Sequence, residues 1–102
     1  MPDSEGSRTM SLSRALTAAR LRAQDFLWAE MTKLGMRRED GWSIAEFTRE
    51  TRGGMQILMR PMHMHLPSPE RMECVVAFVE ETAAIHAQCK GPDGTQLRLG
   101  PA

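Results

Sequence analysis

A chain of 102 residues is long enough for one domain, and its thirteen basic and thirteen acidic residues cancel. That balance weighs against a protein that wraps nucleic acid by neutralising phosphates. No apolar run approaches the roughly 20 residues that span a bilayer, and the opening MPDSEGSRTM has acids before its first arginine and no apolar core, so it does not read as a secretory signal.

Residues 1–10 are polar, with Pro2 and Gly6, and are expected to be a disordered lead to a single α+β domain over residues 11–102. Ser11 or Ser13 then offers an N-cap. Leu12, Leu16, Ala19, Ala23, Leu27, Met31 and Leu34 recur at spacings of three and four, which predicts a helix that Gly35 ends. Leu21 and Trp28, seven apart, mark a second apolar strip on the far side of that helix.

WSIAEFTRE, starting at Trp42, reads as a strand whose alternation is only approximate. Arg52-Gly53-Gly54 is a turn, since glycine takes positive φ at little cost. MQILMR returns as a second strand with Met55, Ile57 and Met59 on one face. Pro61 has no N–H for a ladder, so the strand there is an edge, a bulge or finished. Ser68-Pro69-Glu70 combines an N-cap, a proline at N1 and an acid in the first turn. Met72, Val75, Val76, Val79, Ala83, His86 and Ala87 follow at helical spacing, and Lys90-Gly91-Pro92 looks like a helix stop. A second helix is therefore expected over 69–90. Pro92-Asp93-Gly94 is a turn, and TQLRL a short last strand. The expected fold is α+β in the order α-β-β-α-β, two long helices packed on a small antiparallel sheet.

The stretch MRPMHMH, residues 59–65, gathers soft and borderline metal ligands. On a strand His63 and His65 share one face, and Met62 and Met64 the other. Two histidines at i and i+2 are half a zinc or copper site, and thioethers suit Cu⁺. Alternation splits the two ligand types, however, so the simpler reading has the methionines packed inward and the histidines facing water. On a continuous second helix, Cys74 and Cys89 would lie roughly 22 Å apart at 1.5 Å per residue, too far for a disulfide. Two unpairable thiols imply a reducing compartment, and hence a cytoplasmic location.

No G-x-S-x-G elbow, H-E-x-x-H or P-loop is present, so the sequence favours a non-enzymatic role and calls for no cofactor. Arg37, Arg38, Arg49 and Arg52 offer a basic spot for an anion or an acidic partner, although Glu39, Asp40 and Glu50 among them favour ordinary charge pairs. Phe78 and Ile85, on the expected second helix, lie off its core stripe as Leu21 and Trp28 do on the first. Covering all four by a second chain predicts a homodimer. The expected function is a small, soluble interaction or regulatory module that acts as a homodimer, alone or with a protein partner. The alternatives are a transition-metal binder using residues 59–65 and a small-ligand binder with its site at the dimer interface.

Overall fold

Helix α1 runs Ser4–Lys33 and so begins within the stretch expected to be a lead. The structure is a computed structural model that describes residues 4–65 and 72–101, with side chains at 13–65 and 72–99. Ala19, Ala23, Leu27 and Met31 form the buried stripe of α1, at the spacing that keeps one face inward. The helix ends as the glycine signal predicts. Gly35 sits at φ 81°, its N–H bonds the Thr32 carbonyl at 3.0 Å, and the Met36 N–H bonds the Met31 carbonyl at 2.9 Å. These are the two bonds of a Schellman cap, and Met31 and Met36 are both buried beneath it.

After a single 3-10 turn at Arg38–Asp40, the chain makes five consecutive antiparallel strands: β1 Trp42–Thr51, β2 Gly54–His63, β3 Glu73–Val79, β4 Ala84–Lys90 and β5 Gln96–Pro101. They lie side by side in chain order. The first hairpin is the one the sequence announces, with Thr51 opposite Gly54 and Gly53 at φ 84°. Gly54 has a different reason to be glycine: a Cβ there would lie 1.9 Å from the Phe78 carbonyl oxygen. Pro61 is buried in β2 without cost to the ladder, because β2–β3 pairing stops at Met59 opposite Cys74 and the proline lies beyond it.

The expected second helix is absent. Residues 73–90 form the hairpin β3–β4, so the order is one helix followed by five strands rather than α-β-β-α-β, and one long helix packs on the sheet rather than two. Val75, Val76, Val79 and Ile85 are β-branched and suit a pleated surface. Burial alternates strictly along β3, with Cys74, Val76 and Phe78 inward. The reversal lies at Glu80–Ala83, which contains neither glycine nor proline. It is held by the Thr82 and Ala83 N–H groups on the Val79 and Glu80 carbonyls, both at 3.3 Å, and Ala83 takes a left-handed φ of 52°. Ser68, Pro69 and Glu70, expected as the N-cap, lie outside the described residues. Lys90-Gly91-Pro92 ends a strand instead, and the turn after it is fastened by the Thr95 N–H on the Asp93 carboxylate at 3.0 Å. Hydrogen bonds from Thr95 hold that carboxyl below its ordinary pKa.

The same correction reverses the cysteine reading. The hairpin sets Cys74 opposite Cys89, the two are bonded as a disulfide, and both are fully buried. With no free thiols among the described residues, the inference from unpairable cysteines to a reducing compartment loses its premise.

Two predictions follow from the hairpin. Ala83→Gly relieves a left-handed alanine and raises unfolding stability by about 0.5–1 kcal/mol, measured by urea denaturation; a loss would contradict the positive φ. Reducing the disulfide, which closes a loop of 15 residues in sequence separation, lowers stability by about 3 kcal/mol. Guanidinium curves with and without a phosphine reductant give the difference.

Candidate functional site: the open sheet face and its free edge

Helix α1 covers one face of the sheet, lying mainly over β3 and β4. Because opposed residues in antiparallel strands share a face, the register identifies every row. The covered face carries Glu46, Met59, Cys74, Cys89 and Leu97 in one row, and Thr48, Ile57, Val76 and Ala87 in the next. Glu46 is tied to the helix by Arg20, an ion pair, and by the Gln24 amide at 3.2 Å.

No described element covers the opposite face. A row of Phe47, Leu58, Val75, Gln88 and Arg98 crosses it from edge to edge. Ala45 flanks the row beside Phe47 and Ala77 flanks it beside Val75, with the pair Val79 and Ala84 one row beyond Ala77. Phe47 is 51% exposed, and Leu58 and Val75 are half-buried. Around them stand Arg49, hydrogen-bonded to Gln56, and Arg60, paired with Glu73 at 2.8 Å. Lys90, His86 and Arg98 complete the rim. The face is thus apolar on its β1 side and polar and basic towards β5.

The residues singled out from the sequence are scattered over this frame. Leu21 is 56% exposed on α1. Trp28 is half-buried, with the Arg38 guanidinium 4.3 Å from its ring centre. Phe78 and Ile85 face each other across β3–β4 and are buried at 8% and 1% exposure, so they belong to the chain's own core. A helix would turn them outward; the pleat turns them in. The four arginines do not converge either. Arg37 and Arg38 precede the start of β1 and Arg49 and Arg52 lie at its far end, separated by roughly 30 Å of extended strand.

His63 is half-buried at the end of β2, edge-on to Trp42 with ring centres 4.9 Å apart. Its Nδ1 accepts the His65 backbone N–H at 3.1 Å, which leaves Nε2 to carry the proton and donate to the Asp40 carbonyl at 2.8 Å. Both ring nitrogens are therefore engaged. Met62 and Met64, expected to pack inward, are 39% and 74% exposed; Met62 belongs to the open face, and Met64 and His65 to the turn after β2. Among the described residues no group of three or more His, Cys, Asp or Glu is placed to hold a metal.

A cleft of about 690 Å³ at the β1–β2 hairpin tip is lined by Glu50, Glu80 and Glu81 with Met55 and Phe78, a surface that repels anions.

Sequence reasoning missed Phe47, Leu58 and Val75 as a surface. The signal was the imperfect alternation of WSIAEF: Trp42 and Ile44 take one face and Ala45 and Phe47 the other, so apolar residues line both. Comparison of the chain with protein-family models, with curated proteins and with solved structures finds no match. No helix among the described residues is long and apolar enough to cross a membrane.

With both ring nitrogens of His63 committed, calorimetric titration with Cu⁺, Cu²⁺ and Zn²⁺ is expected to give no affinity tighter than micromolar. Nanomolar binding abolished by the double substitution His63→Ala and His65→Ala would establish a metal site here.

Proposed function

We propose that this protein is a non-enzymatic interaction module that works as a homodimer, with the exposed Phe47, where the open sheet face meets the outer strand β1, in the contact region. The observation that carries this reading is Phe47, 51% exposed beside Leu58 and Val75 on a face no described element covers. Full burial of a phenylalanine is worth about 1.5–3 kcal/mol, and roughly half of that goes unrealised in the isolated chain. Apolar surface gathered on one sheet face and rimmed by polar groups marks contact with another macromolecule more often than with water. Leu21, also exposed, lies on the helix at the other side of the molecule and adds nothing to this region.

The reading is tested by mass. Light scattering after size exclusion, from ten micromolar upward, is expected to give twice the 11.4 kDa of one chain. A single-chain mass persisting at several hundred micromolar would end the homodimer reading.

A further inference from the structure

Strand β1 is an outer strand of the sheet, and the direction of its free backbone groups is fixed by contacts on the far side of β2. The Glu80 N–H bonds the Gly53 carbonyl at 2.9 Å, which makes Gly54 and Val79 a non-hydrogen-bonded pair; Gly54 therefore turns its own N–H and C=O to Thr51. Alternation then points the odd-numbered residues of β1 at β2 and the even-numbered ones outward. The outward Trp42 N–H is already taken by the Arg37 carbonyl at 3.2 Å. Ile44, Glu46, Thr48 and Glu50 have no outward backbone partner among the described residues and present a donor and an acceptor each along the edge. The other outer strand differs: β5 carries Pro101 and shifts register opposite Ala87 and Gln88. Those features blunt an edge, and β1, ten residues long with an unbroken register and no proline, has none of them.

We propose that two copies of the chain join antiparallel through β1, in the register that sets Phe47 against Phe47 of the second copy. This rests on the homodimer reading above and names its interface. The two sheets of five strands become one, with both helices on the same side and both open faces continuous. Charge and hydrogen bonding select the register. Centring on Phe47 pairs Ile44 with Glu50 of the second copy and Glu46 with Thr48, so the outward groups of all four residues are used, in about eight backbone hydrogen bonds. Ala45 then lies beside Arg49, and no like charges oppose each other. Centring on Glu46, Arg49 or Glu50 sets identical charges face to face, and centring on Thr48 sets Glu46 against Glu50; like charges directly opposite are destabilising. Centring on Ala45 calls on the occupied Trp42 N–H and strands Glu50. The chosen register also brings the two exposed phenylalanines together as a cross-strand aromatic pair at a non-hydrogen-bonded position, where side chains approach most closely. Glu46 points inward, a device that guards an edge, but Arg20 and Gln24 already hold its charge against α1.

The test uses Thr48→Pro and Phe47→Cys in the full chain. Proline at 48 removes an outward N–H and no β1–β2 bond, so the circular dichroism is retained while the dimer dissociation constant rises at least tenfold. Phe47→Cys supplies a single free thiol, because Cys74 and Cys89 are joined, and mild oxidation gives a covalent dimer far faster than with Arg49→Cys. Both results support the edge. A Thr48→Pro protein that stays dimeric, with dissociation instead by Leu58→Asp, would overturn the edge interface while leaving the homodimer intact. Should Thr48→Pro unfold, the cysteine pair decides: equal crosslinking at 47 and 49 refutes the register. A monomeric wild type refutes both readings together.

Discussion

One helix has one sheet face to cover, and the rest of the molecule follows from that. The Ala19, Ala23, Leu27 and Met31 stripe of α1 meets Ile57, Met59, Cys74, Val76, Ile85, Ala87 and Cys89 in a single core. Alanines at two of the four helix positions keep the helix surface low where it crosses the sheet. Met31, Met36, Met59 and Met72 fill much of what remains, and unbranched thioethers suit the irregular gap between a cylinder and a twisted sheet. Because α1 lies over β3 and β4, the disulfide sits in the best-covered part of the molecule. β1 is tied to the helix through the Glu46 contacts to Arg20 and Gln24, and its Trp42 and Ile44 pack against the shared core. Among the described residues, nothing covers the second face or pairs with the β1 edge.

Much of the helix and of the first hairpin was legible because each carries a signal with one physical meaning. A stripe at spacing three and four, closed by a glycine, leaves no rival reading of residues 16–35, and two glycines between apolar runs do the same for the turn at 53–54. Residues 73–90 carry signals with two meanings. A cation, a glycine and a proline end a helix well, but the same three residues end a strand and open a turn equally well. The apolar run at 74–79 hides its period because the open face is apolar too, so Val75 and Val79 interrupt the polar–apolar alternation that marks a half-buried strand. The reversal at Glu80–Ala83 is invisible to composition, since it is made by an alanine in a conformation usually given to glycine. One missed turn changed everything built on it: Phe78 and Ile85 went from core to surface, and Cys74 and Cys89 from bonded to about 22 Å apart on a helix.

The same ambiguity concealed the candidate site. Alternation assigns faces only when one face is polar, and a sheet apolar on both sides reads as poor alternation rather than as a second surface. The residues that did stand out, the Met-His stretch and the arginines, stood out by chemical type. The fold sets the arginines at opposite ends of a ten-residue strand and spends both nitrogens of His63 on backbone groups. Composition identified unusual residues; only the pleat and the register show which of them share a surface.

A long free edge invites pairing without limit, and the two outer strands of this sheet answer that hazard differently. If β1 pairs with itself about a two-fold axis, the contact is isologous and uses the same edge on both copies. What remains outside is β5 at each end, irregular in register and carrying a proline, a poor template for another strand. Head-to-tail growth would need β1 to accept β5. The register shift between Ala87 and Gln88 in the strand behind it, and Pro101 within it, set β5 out of step with the unbroken ladder of β1. The asymmetry between the edges therefore favours closure at two copies over an open fibre, and it arises from where the chain places one bulge and one proline.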